Sequence, residues 1–337
     1  MNNTYENITL PKSITLPDTQ TLSVISADQS KDDTSKCSEM CMKLLNTLSS
    51  KKRNPDDGVL RADESNYTYD DFDDYSCRYF SDNSFLIWNT HSIEEKIFDA
   101  NKEKILYTND TNFYETKYNI DGTQYSVKEA TDFANDFIDK NIMQFFNKDE
   151  GLVLDCVIVV ANKDGTTYDY LLRYAHTIDG IPVSTAGGFI MEEYSMRPSY
   201  LEVAIDSPNH IAQIENYAYY NVVKAEKLED KFITLEASLE NVEEYIAQYN
   251  IQEITEISME YCSVYYQNEE HTFEYRPMWR FTVGEVSRDM VLYARKSVYV
   301  DMVTGEIITF NDMDGNITSS TRDLVIDPEE LEKIYGE

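Results

Sequence analysis

The sequence predicts an α+β fold of two similar units, each an antiparallel sheet with one helix packed across it, preceded by a flexible N-terminal segment. The length of 337 residues suggests two domains. Strand-like segments rich in aromatic and β-branched residues fill much of the chain beyond residue 84, and few helical-period stretches interrupt them. The order helix, strand, strand, strand with a terminal turn occurs twice, spaced by about a hundred residues, which indicates an internal duplication.

Residues 1–65 are predicted to form a flexible linker or tether. They are rich in Asn, Asp, Ser, Thr and Lys, a composition typical of loops and disorder. One short helix is expected within this segment at 36–50, because Met40, Leu44 and Leu48 recur along one side.

The first folded unit is predicted at 66–225. Its helix begins at a capping box formed by Ser126 and Glu129, and apolar residues then follow at helical spacing. The later segment "LVLDCVIVVA" is apolar on both faces, which is typical of a central strand. Tight turns are expected at 179–180 and at 206–209, where Asp-Gly and Asp-Ser-Pro-Asn separate strand-like runs.

The second unit is predicted at 226–312, followed by a C-terminal tail at 313–337. A helix at 235–249 precedes strand-like segments, the last of which is "SVYVDMVTGEIITF". Asp301 in this stretch is interpreted as a turn residue whose carboxylate bonds to backbone N–H groups, with Gly305 in the left-handed conformation. A protease motif would need a contiguous Asp-Thr-Gly and a second carboxylate, and here two residues intervene.

The charge of the chain restricts the classes of partner. Its 62 acidic and 29 basic residues give a net charge of −33, which repels phosphate backbones and anionic lipid. The sequence therefore predicts no nucleic-acid binding and no peripheral membrane binding, and a protein or peptide partner would be basic. No run approaches the roughly 20 apolar residues of a membrane span. The N-terminus has no basic start or apolar core, so the protein is either cytoplasmic or processed from an exported precursor.

No pattern in the sequence predicts a catalytic, cofactor-binding or metal site, because the familiar catalytic and nucleotide-binding motifs are missing. Five cysteines are an odd number, which argues against a disulfide framework. Cys37 and Cys41 share a helix face but lack further ligands for a metal, and Cys156 is interpreted as a buried small hydrophobe. His271 is interpreted as part of a solvated acidic loop, and His176 as making a local hydrogen bond beside a turn.

The stretch "NDMDGNITSS" imitates a calcium-binding loop. When Gly315 is placed at loop position six, Phe310 falls at position one and Thr321 at position twelve, and neither supplies the carboxylate required. The stretch is therefore not an EF-hand, and a weak surface calcium site remains as an alternative.

Two parts of the chain resemble PepSY-type domains: "YLLRYAHTIDGIPVSTAGGFI", and "MWRFTV" followed by "VYVDMVTGEIITF". The family pattern is a helix followed by strands, ending in an Asp-x-x-Thr-Gly-x-Ile turn. The second copy has this turn from Asp301 to Ile307, whereas the first has Asn209-His210 in place of Thr-Gly. The likeness spans 120–310 through short, moderately specific motifs. It implies an exported or surface-attached bacterial protein, often a lipoprotein whose anchor belongs to a longer precursor, with a regulatory or peptidase-inhibiting role and no catalytic residues.

These features favour a non-enzymatic bacterial protein at the cell surface or outside the cell, with a binding or regulatory role towards a peptide or a peptidase. An extended peptide could add to an exposed strand edge through main-chain hydrogen bonds, with the many tyrosines supplying contact area. Two alternatives remain open. One is a cytoplasmic regulatory or immunity protein. The other is a hydrolase that uses acidic residues, which would need two converging carboxylates of raised pKa.

Overall fold

The computed structural model describes the backbone in segments separated by gaps. The described residues are 4–5, 8–11, 14, 22–28, 35–50, 59–63, 66–72, 74–80, 84–90, 103–107, 112–162, 165–185, 189–190, 194–197, 199–217, 221–227, 232–247, 253–266, 273–283 and 296–309. The predicted calcium loop, His271 and the tail at 313–337 lie outside these residues.

Strands dominate the described part of the chain. In chain order the strands are β1 (Thr4–Tyr5), β2 (Ile8–Thr9), β3 (Ser23–Asp28), β4 (Val59–Asp63), β5 (Asn66–Phe72), β6 (Tyr75–Phe80), β7 (Phe85–Asn89), β8 (Glu103–Tyr107), β9 (Lys117–Ile120), β10 (Thr123–Ser126), β11 (Glu150–Ala161), β12 (Tyr168–Ile178), β13 (Ile181–Pro182), β14 (Phe189–Ile190), β15 (Tyr194–Arg197), β16 (Tyr200–Ser207), β17 (His210–Tyr217), β18 (Asn221–Lys227), β19 (Ile254–Tyr266), β20 (Phe273–Val283), β21 (Lys296–Asp301) and β22 (Ile307–Thr309). The α-helices are α1 (Ser35–Leu48), α2 (Val127–Asn141) and α3 (Leu235–Ala247). The strand pairings are mostly antiparallel, so the predicted α+β class is confirmed.

The chain divides into two compact units that interleave along the sequence. The middle unit contains Ser30–Thr177 and Tyr200–Tyr220, and the terminal unit contains Met1–Gln29, Ile178–Ser199 and Asn221–Glu337. The prediction placed consecutive domains at 66–225 and 226–312. Strand β3, near the start of the chain, pairs with β18 and β20 and so belongs to the terminal unit.

The sheet of the middle unit has the strand order β4-β5-β6-β7-β17-β16-β12-β11-β8. Alternation along its strands turns one set of apolar side chains towards α1 and α2, as strand geometry requires. Leu172 and Val203 face each other across β12 and β16, and both belong to the same buried cluster as Ala134 of α2. The hydroxyl of Tyr174 donates a hydrogen bond to Asn135 Oδ1 over 3.0 Å and so joins β12 to α2.

The start of α2 is the predicted capping box. Glu129 N donates to Ser126 Oγ over 3.2 Å, and Ser126 N donates to Glu129 Oε2 over 2.8 Å. The two bonds satisfy backbone donors that the first helical turn leaves without an intrahelical partner. The predicted helix is therefore confirmed, and it ends at Asn141.

Replacing the capping residue should weaken the middle unit. We expect Ser126→Ala to lower the free energy of unfolding by about 1 kcal/mol, because the Glu129 N–H loses its acceptor. Urea unfolding followed by circular dichroism measures the change. The exposed Thr123→Ala is the control and should shift stability by no more than about 0.5 kcal/mol. Equal effects of the two substitutions would show that the cap does not stabilise α2.

The N-terminal segment 1–65, predicted to be flexible, includes ordered elements, and its flexibility is not confirmed. The helix expected at 36–50 is present as α1, and its Leu44 and Leu45 are fully buried in the core of the middle unit. Strand β3 is paired on both sides, with β18 and with β20. The composition of the segment is polar overall, but the apolar side of this one helix is enough to anchor it.

The sheet of the terminal unit runs β14-β15-β19-β20-β21-β22, and β3 joins it through β20. The indole N–H of Trp279 on β20 donates to the Ile233 carbonyl just before α3, over 3.1 Å. The turn after β21 agrees with the prediction. Asp301 Oδ1 accepts from the N–H groups of Val303 and Thr304 over 2.7 and 3.2 Å, and Gly305 has a φ of 76°.

Both units contain a helix followed by four strands that are neighbours in the sheet. The middle unit has α2 with β11, β12, β16 and β17, and the terminal unit has α3 with β19, β20, β21 and β22. That these are two copies of one domain stays a prediction, as do the predicted domain boundaries. The predicted tight turn at 179–180 is confirmed by φ values of 52° for Asp179 and 77° for Gly180.

Candidate functional site

A row of register partners brings charged residues together on the sheet of the middle unit. Arg173 of β12 lies opposite Glu202 of β16, Glu202 lies opposite Glu215 of β17, and Glu215 lies opposite Leu86 of β7. We call these four residues the charged rung. They alternate with the buried Leu172, Val203, Ile214 and Ile87, so they project from the other face of the sheet.

Arg173 is paired with Glu202 rather than with Glu215. Its Nε and Nη2 both donate to Glu202 Oε2, over 3.0 and 2.8 Å, and the two side chains are 15% and 8% exposed. Burial alone would lower the pKa of Arg173, but the negative charge of Glu202 raises it above its ordinary value. Among the described residues, no basic side chain forms an ion pair with Glu215.

Glu215 therefore lies beside Glu202, whose carboxylate carries a negative charge that repels a second one. Burial and repulsion from Glu202 raise the pKa of Glu215 to about 7, and Arg173 opposes the rise. Like charges directly opposite each other destabilise an antiparallel pair. The rung thus combines two carboxyl groups with one guanidinium, and Glu215 can change its charge near neutral pH.

Aromatic side chains border the charged rung. Tyr200 and Tyr217 are register partners in the next row, and their rings stack at 5.4 Å with an interplanar angle of 9°. The Arg173 guanidinium lies over the Tyr200 ring, 4.6 Å from its centre. Tyr217 is exposed and Glu215 is partly exposed. Together these groups form an acidic site with aromatic walls, the kind of surface that attracts organic cations.

A second polar group lies at the turn between β16 and β17. His210 Nδ1 lies 2.6 Å from Asp206 Oδ1, and His210 Nε2 lies 3.1 Å from the Tyr75 hydroxyl oxygen. Tyr75 donates its own hydroxyl to the Ile211 carbonyl, and burial raises its pKa to about 12. The hydroxyl proton of Tyr75 is donated to the Ile211 carbonyl rather than to His210, so the imidazole is not placed to remove it and activate the tyrosine. These hydrogen bonds hold the turn between β16 and β17 against β6.

The local hydrogen bond expected of His176 beside the neighbouring turn is not confirmed. This buried side chain lies close enough to Asn216 and to the backbone of Tyr200 for both to oppose the lowering of its pKa, and its ring stacks on Phe146 at 5.6 Å. Burial lowers its pKa to about 3 despite those groups, so the imidazole is neutral. These neighbours lie far along the chain rather than in the neighbouring turn.

Two further predicted residues lie on other strands: Cys156 on β11, where it interacts electrostatically with Arg173 of the charged rung, and Asp301 at the end of β21. Cys156 is buried, as predicted, and Asp301 bonds Arg276 Nε through Oδ2 over 2.8 Å in the terminal unit. Within the described ranges, no group of three or more His, Cys, Asp or Glu side chains is arranged to hold a metal ion. No helix in the described part of the chain is long and apolar enough to cross a membrane.

Sequence reasoning did not single out the charged rung. The alternation of Leu201, Val203 and Ile205 did place Glu202 on the opposite, polar face of its strand. Glu215 follows a similar alternation in β17. The sequence therefore indicated on which face of the sheet each of these residues lies. It did not indicate which residues are neighbours across the sheet, because that depends on strand register.

Comparisons with known proteins inform the fold. No family model matches the chain, and no curated protein matches it. A solved structure, that of an uncharacterized protein from Eubacterium rectale ATCC 33656, is similar with a TM-score of 0.56 and 17% identity. The likeness covers 91% of this chain and 92% of that one. At this level of identity the two chains share a fold.

Proposed function

We propose that this chain is a non-enzymatic binding protein that takes a basic peptide segment at Glu215. The observation that supports the proposal is the carboxyl group of Glu215, which lies beside Glu202 on a partly exposed face bordered by Tyr200 and Tyr217 and forms no ion pair with a basic residue of the described segments. A lysine or arginine side chain placed there would supply the missing positive charge. The excess of 62 acidic over 29 basic residues favours the approach of such a partner.

The binding mode at this site is side-chain capture on the face of the sheet. Both edges of β17 are already hydrogen-bonded, to β7 and to β16, so a peptide cannot add to it as a further strand. Strand addition, expected from the sequence, requires the end of a sheet, and β4 and β8 are the end strands of the middle unit's sheet order. We retain it as a secondary contact of the same peptide.

The cellular setting is part of the proposal. The PepSY resemblance supports an exported or surface-attached bacterial protein whose peptide partner is a substrate-like segment or a peptidase. A regulatory protein in the cytoplasm would use the same acidic site for a basic partner. Inspection of the gene region before Met1 for an export signal with a lipid-attachment cysteine separates these settings.

Affinity for a basic peptide should rise with pH and depend on Glu215. A bound cation favours the ionised carboxyl, and the pKa of Glu215 is raised to about 7, so binding should strengthen as pH rises through neutrality. We expect Glu215→Gln to weaken binding by about tenfold, the loss of one charge-assisted hydrogen bond, and to abolish the pH dependence. Fluorescence anisotropy with a labelled Lys-Val repeat peptide measures both effects.

The control variant changes the net charge by the same amount as Glu215→Gln. Asp139→Asn removes one exposed carboxylate from α2 and should leave affinity unchanged. A Glu-Val repeat peptide should not bind. Equal weakening by the two substitutions would mean that the peptide responds only to total charge. Failure of the Lys-Val peptide to bind at low salt would overturn the proposed function.

A second candidate function is hydrolysis by paired carboxyl groups. It is favoured by the raised pKa of Glu215 beside Glu202, since a general acid needs a proton near neutral pH. The ion pair of Glu202 with Arg173 already uses Oε2. Mass spectrometry of the bound peptide after prolonged incubation decides between the two. Intact peptide supports binding alone, and cleavage that Glu215→Gln abolishes would establish the hydrolase.

A further inference from the structure

One strand of the terminal unit fills a gap between two others. Strand β3 pairs with β18 on one side and with β20 on the other, so that Ile25 lies opposite both Ala225 and Tyr275. Among the described strands, β18 pairs with β3 alone and therefore joins the sheet only through it. We call the space between β18 and β20 the strand slot. Its two walls offer hydrogen-bonding groups to both edges of the strand that lies there.

The contacts of β3 in the strand slot are those of a fully bound strand. Ile25 is 1% exposed, and its register partner Tyr275 is fully buried. The Ser23 N–H donates to the Tyr261 hydroxyl of β19 over 3.2 Å. Leu22, directly before the strand, is also buried. Main-chain hydrogen bonds combined with buried side chains are the means by which a sheet captures an added strand.

The chain connections of β3 leave it independent of both walls of the slot. Strand β3 ends at Asp28, whereas β18 and β20 begin at Asn221 and Phe273. After β3 the chain continues through residues 29–34 into α1, which belongs to the middle unit. A strand joined to its partner by a hairpin turn stays close to it in every state of the chain, but β3 is held in the slot by packing and pairing alone. Once β3 leaves the slot, an equivalent strand from another molecule can take its place.

We propose that the strand slot takes β3 from a second copy of this chain, and that the exchange is reciprocal and gives a two-fold symmetric dimer. The second copy fits because its β3 reproduces the whole register, including the irregularity between Val222 and Lys224, and places an isoleucine opposite Tyr275. A peptide of another sequence would have to match both features. The dimer and the monomer hold the same contacts within each terminal unit.

Because these contacts are the same, two other factors set the balance between the forms. Association costs translational and rotational freedom, so the dimer fraction should rise with protein concentration. Each chain carries a net charge of −33, and salt screens the repulsion between two copies, so the dimer fraction should also rise with salt. Since β3 has to leave the slot before it is exchanged, the two forms should interconvert slowly enough to be separated by size-exclusion chromatography.

Two single substitutions identify the chain that supplies the strand. Ser26 of β3 and Glu274 of β20 are register partners, and neither is fully buried. Opposite residues of antiparallel strands have Cα atoms about 4.5–5.5 Å apart, which suits a disulfide. One full-length chain carries Ser26→Cys and a second carries Glu274→Cys, and the two are refolded together from urea at high protein concentration and oxidised. We expect a disulfide-linked species of two chains, in which mass spectrometry locates the link between positions 26 and 274.

Two controls accompany the mixed chains. A chain with both substitutions should form the link within one molecule in its monomeric fraction, which checks the register. A double variant without this internal link would contradict the pairing of β3 with β20, and with it the slot. Glu306→Cys makes the same change of charge as Glu274→Cys at an exposed position after β21, and it should give no link to Ser26→Cys.

The wild-type chain provides a measurement that is free of substitutions. Light scattering after refolding at several protein concentrations gives its dimer fraction. Wild-type protein that stays monomeric at every concentration would overturn the proposal. So would an internal link in the double variant without any link between the mixed chains, or equal linking by Glu306→Cys. None of these measurements depends on peptide binding at Glu215.

Discussion

Replacing Arg173 with methionine should lower the free energy of unfolding by about 3–5 kcal/mol near neutral pH. Arg173 is the basic partner of Glu202, and its two bonds to Glu202 Oε2 lie on a largely buried part of the sheet. The substitution leaves Glu202 and Glu215 facing each other with no guanidinium to offset their repulsion. Urea unfolding of the wild type and of the Arg173→Met variant, followed by circular dichroism, measures the loss.

The double variant Arg173→Met with Glu202→Gln tests the cause of that loss. Removing the uncompensated carboxylate should recover most of the stability, and the double-mutant cycle should show strong coupling between the two sites. Lys128→Met breaks an exposed ion pair with Asp132 on α2 and should leave the unfolding midpoint unchanged. Additive effects of the two rung substitutions would show that the pair does not interact.

Two residues of the middle unit should make the free energy of unfolding depend on pH in opposite directions. The pKa of His176 is lowered to about 3 in the folded state, so the unfolded chain alone takes up this proton below its ordinary pKa of about 6.5. Stability is therefore lost as pH falls. The pKa of Glu215 is raised to about 7, so the folded chain keeps a proton that the unfolded chain releases above about 4.3. Stability is therefore lost as pH rises.

The two contributions cancel between about pH 4.5 and 6.5, where each changes stability by about 1.4 kcal/mol per pH unit. Glu215→Gln removes the contribution of Glu215 and leaves that of His176. We expect this variant to match the wild type near pH 4.5 and to exceed it by roughly 3–4 kcal/mol above pH 7. Urea unfolding at several pH values gives the difference between the two proteins, in which the contributions of the other groups cancel.

Two further measurements check this assignment. The His176 ring resonances should not titrate above about pH 4 in the folded protein. Asp139→Asn should show a constant difference from the wild type across the same range. A Glu215→Gln variant that is less stable than the wild type at every pH would contradict the raised pKa of Glu215. A more stable variant that binds basic peptide less well is the combination expected of a binding site.

Local patterns predicted much of the fold. The capping box and apolar period of α2, the alternation of β16 and β20, and the Asp301 turn each depend on residues close in sequence. The charged rung depends instead on the register of β12, β16 and β17, which sets Arg173 opposite Glu202 and Glu202 opposite Glu215. No local pattern encodes that register.

The interleaving of the two units has a consequence for synthesis on the ribosome. Strand β3 emerges early, but one of its partners, β20, follows roughly 250 residues later, on the order of 10–50 s at cellular rates. Until then one hydrogen-bonding edge of the nascent strand lacks its native partner, and the core that buries Ile25 is incomplete. Such late pairing raises contact order and slows folding. The early strand is thus the segment for which a holding chaperone would matter most.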